Sequence, residues 1–295
     1  MRIDQILPDA VNRLTSYAPE AAATPHLDAQ LLLAHVLGRS RTWLYTWGDR
    51  EIECAELERF YALIERRQQG EPVAWLLGYR EFFGLRLAVS PHTLIPRPDT
   101  ETLVEQALQC MPSTGSGRAL DLGTGSGAIA LALAFERPAW QVTGIDIVAG
   151  AVALARRNAD ALGIINAHFE EGNFFSALSP AARFELIVSN PPYIDEHDVH
   201  LGQGDVRFEP RSALVAGQNG MADLLHMIDT ARHFLAPDGW LLLEHGHQQG
   251  EGVRAALTQA GYLGVETCQD LGGRERVSLG QWPAAVTDDL SPEGP

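Results

Sequence analysis

Apolar positions along the first quarter of the chain recur at helical spacing. LDAQLLLAHVLG carries them at roughly 3.6-residue intervals and stops at Gly38, a residue suited to a left-handed helix end. AELERFYALIERRQQG repeats the pattern, with Leu57, Phe60, Tyr61 and Ile64 on one face and Gly70 closing it. The segment from Ile3 to about Leu77 therefore predicts a small helical bundle. At YREFFGLRLAVSPHTLI the period changes to two: Phe83, Leu85, Leu87 and Val89 alternate with Gly84, Arg86 and Ala88, as in a half-buried strand of a hairpin. PRPDTETLVEQALQCM then starts a helix near Asp99 or Thr100, with Pro98 suited to its first turn. From Arg118 onward short apolar runs (RALDLG, QVTGID, AHFEEGN, FELIVSN, GWLLLEHG) alternate with amphipathic stretches. That order predicts an α/β fold with a mostly parallel sheet covered on both faces. The final stretch, VETCQDLGGRERVSLGQW, holds two strand candidates with no helix between them, so the last strand should return antiparallel.

These changes of period divide the chain into a helical unit at 1–78, a β-hairpin linker at 79–95, an α/β unit at 96–283 and a polar, Pro-rich tail at 284–295 expected to be disordered. No apolar run approaches the roughly 20 residues that span a bilayer, and MRIDQILPDAVNRL has no apolar core with a small-residue cleavage site. The expectation is a cytoplasmic protein, a monomer, without membrane contact. Cys54, Cys110 and Cys268 are odd in number and in no CxxC pattern, so they read as reduced thiols.

Charge narrows the function further. The net charge is −16, and all 22 basic residues are Arg. Residues 1–90 hold 10 Arg and 12 Asp+Glu, so nearly all the excess negative charge lies in the α/β unit. Such a surface repels a phosphate backbone at long range, which argues against a nonspecific duplex binder and for a function without direct nucleic-acid contact.

Two motifs carry chemistry. The first is Asp121-Leu-Gly123-Thr124-Gly125-Ser126-Gly127, placed between a predicted strand and a predicted helix. Glycines there let the backbone turn sharply and approach a ligand at the carboxyl edge of a parallel strand. About 20 residues on, the next strand ends at Asp146, an acid able to accept two ribose hydroxyls. Dinucleotide sites favour GxGxxG, whereas GxGxG after an acid resembles the first motif of S-adenosylmethionine-dependent methyltransferases. The second motif is Asn190-Pro191-Pro192-Tyr193, which ends the apolar strand FELIVS. An amide or exocyclic amine nitrogen is a weak nucleophile because its lone pair is delocalised. Asn190 Oδ1 can accept one of its N–H groups, the Pro191 carbonyl the other, and Tyr193 can pack on the planar group. That would be catalysis by positioning.

Asn-Pro-Pro-Tyr at this place resembles the amino-methyltransferases that act on adenine N6, guanine N2 and glutamine N5. Together with GEPVAWLLGYREFFGLRLAVSPHTLIPRPDTETLVE, DLGTGSGAIALALA and GGRERV, it makes the chain similar to the PrmC/HemK family, the N5-glutamine methyltransferases of peptide chain release factors, from about Asp28 to about Gly280. The resemblance implies a Rossmann-like methyltransferase sheet and S-adenosylmethionine as methyl donor, with S-adenosylhomocysteine as product and no metal. It implies transfer to the glutamine of the Gly-Gly-Gln loop of class-1 release factors, with the helical unit contacting the release factor. It puts Gly123, Thr124, Gly125, Ser126 and Gly127 along the cofactor and Asp146 on its ribose. Asn190 would meet both cofactor and substrate, and Pro191, Pro192 and Tyr193 the substrate amide. Phe174 would lie near the adenine. Two positions depart from the family pattern: Asn173-Phe174-Phe175 replaces a D-W-F-type run, and Asp99 stands where Glu is common. A ribosomal-protein glutamine, or adenine or guanine in nucleic acid, are the rival acceptors.

Other features read as structural. His245 and His247 leave a strand toward opposite faces, and His197 and His200 lie in a polar loop, so neither pair reads as a metal site. Arg97 and Glu101 are candidates for the rim of the site. Arg66-Arg67 reads as a solvated helix face.

Overall fold

The computed structural model describes residues 1–17 and 24–284; most of the tail expected to be disordered lies outside the described residues. Five helices come first: α1 (Ile3–Tyr17), α2 (Pro25–Leu37), α3 (Arg41–Thr46), α4 (Cys54–Gln68) and α5 (Val73–Leu77). Their apolar faces meet in one core of Ile3, Ile6, Leu14, Leu32, Leu33, Phe60 and Ile64. The ends are set locally. Gly38 closes α2 in the left-handed region at φ +62°, and Glu53 with Glu56 forms a reciprocal capping box on α4.

A hairpin follows, β1 (Tyr79–Phe82) and β2 (Leu85–Ala88). Its two-residue turn is Phe83-Gly84, both at positive φ (+49° and +74°), as a turn matched to strand twist requires. This corrects the strand expectation at Phe83, which sits in the turn and not in the alternating run. Its N–H donates to Glu101 Oε1 at 2.9 Å. The hairpin is pinned to the α/β unit by buried Asn158, whose side chain exchanges hydrogen bonds with Ala88 and donates to the Ser126 carbonyl.

The α/β unit opens with a 3₁₀ turn at Pro98–Thr100 and α6 (Glu101–Cys110). It continues β3 (Arg118–Leu122), α7 (Ala128–Glu136), β4 (Gln141–Asp146), α8 (Ala149–Leu162), β5 (Ala167–Glu171), β6 (Phe184–Ser189), α9 (Ala222–Ala231), β7 (Leu235–Glu244), α10 (Gly250–Ala260), β8 (Leu263–Gln269) and β9 (Glu275–Gln281). The sheet order is β5-β4-β3-β6-β7-β9-β8, with only β9 antiparallel to its neighbours. The chain winds outward from β3 to β5, then returns to β6 on the other side of β3. Loops leaving the carboxyl ends of β3 and β6 therefore diverge and leave a crevice, where open α/β sheets bind ligands. One face of the sheet is covered by α6, α7, α8 and the hairpin, the other by α9 and α10.

The helical bundle is tied to the α/β unit by an ion cluster. Arg67, 4% exposed, donates to Asp28 Oδ2 at 2.8 Å, to Asp205 Oδ1 at 2.7 Å and to the Glu71 carbonyl. Arg66 is exposed and paired with Glu71. The expectation that Arg66-Arg67 forms a solvated face is thus corrected at Arg67. Beside it, Trp75 meets Phe208 edge-on and Arg207 Nη2 donates to the Gln69 carbonyl. The contacts on the α/β side all come from 205–208, in the long connection between β6 and α9.

Candidate active site

The loop after β3 is built for a close approach. Gly123, Gly125 and Gly127 lie at φ +71°, +56° and +83°, conformations that cost a side chain roughly 1–2 kcal/mol each. Gly123 and Gly125 face a cleft of about 340 Å³, and a Cβ on Gly123 would meet nothing within 4 Å, so any side chain there would stand in that space. Gly127 does not line the cleft: a Cβ there would press on Ala155, Leu131 and Phe169 at 3.1–3.2 Å, so this glycine serves the packing of α7 against the sheet.

Acidic groups organise the loop from behind. Asp146, at the end of β4, accepts the Gly125 N–H at 2.8 Å on Oδ2 and the Val148 N–H at 2.9 Å on Oδ1. Each oxygen keeps a lone pair, and the carboxyl lines the cleft. Burial raises its pKa against these two N–H groups. Asp121 is fully buried; its Oδ2 accepts from Thr124 Oγ1 at 2.7 Å and Ala130 N at 3.2 Å, while Oδ1 has no partner. Desolvation pushes this carboxyl up to about 7.

The second motif leaves β6 next to this loop. Ser189 is held by a 2.6 Å hydrogen bond to the Leu122 carbonyl. Asn190 then lines the cleft and donates Nδ2–H to Thr100 Oγ1 at 3.1 Å. With the amide nitrogen engaged, Oδ1 is the group of Asn190 left to accept. Pro192 also lines the cleft, whereas Pro191 is buried and Tyr193 turns away, its hydroxyl donating to Glu244 Oε1 at 3.2 Å. At the opposite end stands Phe174, at φ +48° in the 3₁₀ turn Phe174–Ala177. A bulky residue in that region is held there by its surroundings, here the Asn173–Ser176 capping pair and packing near His226.

Two family models match the chain: the PrmC N-terminal domain over residues 9–78 and the methyltransferase small domain over residues 100–206. The release factor glutamine methyltransferase of Salmonella typhimurium is 55% identical over 94% of this chain and 97% of its own length. That of Escherichia coli is 52% identical over 96% and 99%. The chain belongs to the release factor glutamine methyltransferase family. A methyltransferase from Pyrococcus furiosus shares the fold, with a TM-score of 0.52 at 19% identity, over 76% of this chain and 98% of its own.

Set among that family, the cleft brings together Gly123, Thr124, Gly125, Ser126, Asp146, Phe174, Asn190 and Pro192, and leaves out Gly127, Pro191 and Tyr193. Arg97 lines it and pairs with buried Glu209 at 2.6 Å. Glu101 does not line it; it faces a second cleft between the bundle and the hairpin, to which Arg97 also contributes. His92, Thr93, Thr100 and Asp223 are lining residues that the sequence reading missed. Thr93 and Thr100 bracket the IPRP run, which marked the place; nothing in the amphipathic pattern of α9 singles out Asp223. His245 is buried, its ring nitrogens engaged by the Gly246 carbonyl and Ser278 Oγ, while His247 is exposed. Among the described residues no helix is long and apolar enough to cross a membrane.

Proposed function

We propose that this chain transfers the methyl group of S-adenosylmethionine to the side-chain amide N5 of the glutamine in the Gly-Gly-Gln loop of class-1 release factors. The observation that carries the reading is the Asn190 amide. Its Nδ2 is taken by Thr100, so Oδ1 is free to accept an N–H from a substrate amide. The residues fit the cofactor: the bare backbone at Gly123 and Gly125 admits close approach, and the two spare lone pairs of Asp146 match a pair of ribose hydroxyls. Phe174 offers an apolar face to the adenine. When bound, the cofactor supplies an electrophilic methyl group on a sulfonium. The protein's part is to hold the glutamine. Asn190 Oδ1 would accept one N5–H group, which would orient the nitrogen toward the methyl, while Pro191, outside the cleft, shapes the turn that sets Asn190 in place. Residues 1–78 hold the folded release factor, and the protein works as a cytoplasmic monomer without nucleic acid, in keeping with the −16 charge.

The test is incubation with radiolabelled S-adenosylmethionine and, separately, a class-1 release factor, ribosomal proteins, DNA and rRNA. Label should enter the release factor and vanish when the glutamine of its Gly-Gly-Gln loop is replaced by glutamate. Label in nucleic acid, with none in the release factor, would overturn the substrate assignment.

A further inference from the structure

Pro96-Arg97-Pro98 forms the partition between the two clefts. Pro96 lines the first, Pro98 the second, and Arg97 is, among the described residues, the one that lines both. The prolines hold its backbone: Arg97 lies at φ −99° and ψ 145°, the extended conformation that a following proline demands. Its side chain is anchored as well. Nη2 donates to Glu209 Oε2 at 2.6 Å, and the Glu209 side chain is fully buried. The other Glu209 oxygen takes the Ile95 N–H at 3.4 Å, so one buried acid ties down both the backbone and the arginine of this segment.

A buried carboxyl is costly to keep, and here it holds a guanidinium that is only partly engaged. Arg97 has five N–H groups, and the bond to Glu209 uses one. Nε and Nη1 have no partner among the described residues, and neither is buried. The other ionisable side chains on the first cleft are Asp146, Asp223 and His92, so this fork is the strong donor there. Glu209 already balances its charge. What Arg97 still offers is directed N–H groups, which suit a neutral carbonyl oxygen better than a second anion.

The acceptor glutamine lies within a polypeptide, so main chain must leave the first cleft on both sides of it. The wall shared with the second cleft, a space of about 720 Å³, gives that chain a way out past Arg97. The two glycines before the glutamine carry no Cβ, which leaves their carbonyls open to close approach. We propose that Arg97 binds the substrate main chain at this wall, donating from Nε and Nη1 to a carbonyl oxygen of the Gly-Gly pair, and so selects a glutamine that follows two glycines. The inference rests on the reading that this glutamine is the acceptor. It adds what Asn190 cannot supply, because Asn190 meets only the side-chain amide that every glutamine has.

The variant that tests this is Arg97→Lys, which keeps a cation for Glu209 but loses the planar fork. Assays belong at about pH 8, above the value of about 7 to which burial raises Glu209 against the pull of Arg97. KM should rise about tenfold for intact release factor and for a short Gly-Gly-Gln peptide alike, with cofactor affinity within about twofold of wild type. The same peptide made with a thioamide at each glycine in turn gives a readout that a merely structural role would not move, since sulfur is a weak acceptor. Wild type should lose about fivefold or more in kcat/KM at one of the two positions, and the variant clearly less. Should Arg97→Lys fail to fold, Arg97→Met with Glu209→Gln removes both charges together and takes its place. Unchanged KM in a folded variant overturns the proposal, as do equal thioamide losses in both proteins or a wild type indifferent to the thioamide at both positions. Weakened cofactor affinity at unchanged KM overturns it too and hands the guanidinium to the cofactor's carboxylate. If wild type labels neither release factor nor peptide, the substrate reading itself fails; label in wild type with an indifferent Arg97 variant defeats this inference alone.

Discussion

Asp146 accepts two backbone N–H groups as well as facing the cleft, so its carboxylate shapes the glycine loop beside that cleft. Removing it would mix a binding loss with a loop loss. Asp146→Asn is the cleaner probe, since it keeps one acceptor oxygen and halves the spare lone-pair capacity. We expect S-adenosylmethionine to bind more weakly by about 1.5–3 kcal/mol, the range for hydrogen bonds to a charged group. Unchanged affinity by calorimetry would remove the ribose assignment. Asn190→Ala should behave oppositely, leaving cofactor affinity near wild type and lowering kcat by orders of magnitude, because orientation of the reacting nitrogen is what it loses. Single-turnover rates within a few-fold of wild type would refute the positioning role. Asp146 and Asn190 were legible in the sequence because each ends an apolar strand at a marked motif. Glu244 was not: LLLEHG reads as one more strand end, and its place beside the Asn190-to-Tyr193 motif exists only through the pairing of β7 with β6. Tyr193 was legible as part of the motif, yet its direction toward Glu244 was not, since a tetrapeptide does not say which side of the sheet edge receives its last residue.

At the scale of elements, glycines that look alike in the sequence do different work. Gly123 has open space where a Cβ would go, whereas a Cβ on Gly144, inside β4, would lie 2.6 Å from Phe169 and 2.7 Å from Thr124 Oγ1. Gly144→Ala should therefore destabilise the fold by about 1–3 kcal/mol, the usual cost of overpacking, and weaken cofactor binding only as far as Thr124 moves. Gly123→Ala adds left-handed strain of roughly 1–2 kcal/mol and puts a methyl group into the cleft, so its larger effect should be on cofactor affinity. Denaturation midpoints and cofactor titrations on the two variants separate these outcomes; equal profiles would show that the loop and β4 act as one packing unit. The alternation of strands and helices, and the single antiparallel strand, followed from period and connection length. The hairpin turn did not. Phe83 belongs to an apolar alternation, and propensity alone would never put a phenylalanine at positive φ. Its place is dictated by the register Phe82↔Leu85 and by Glu101, which takes its N–H.

The whole molecule hangs together through the connection between β6 and α9. It starts at the Asn190 motif, reaches the helical bundle at Asp205, Arg207 and Phe208, and returns to the cleft rim through Glu209 and Arg97. From the sequence, Arg67 was one of two adjacent arginines on a helix with many charges; only the fold shows that it is buried against acids 39 residues before it and 138 residues after it. A buried arginine stripped of one partner is strongly destabilising, typically by about 3–5 kcal/mol, while one rim partner in partial contact with water matters less. Asp28, with a side chain 5% exposed, should therefore matter more for stability than Asp205 at 33%. Asp28→Ala should lower the unfolding midpoint of the bundle. Asp205→Ala should leave the bundle folded and loosen its hold on the connection. If the bundle's task is to present the release factor to the cleft, Asp205→Ala will raise KM for intact release factor and spare both cofactor affinity and turnover of a short Gly-Gly-Gln peptide, because a peptide does not use the bundle. This substitution is a sharper probe than deleting residues 1–78, which would uncover Phe208 and leave Asp205 without its arginine. Equal losses on protein and peptide would mean that the connection acts on the Asn190 motif itself and that the bundle's role is structural.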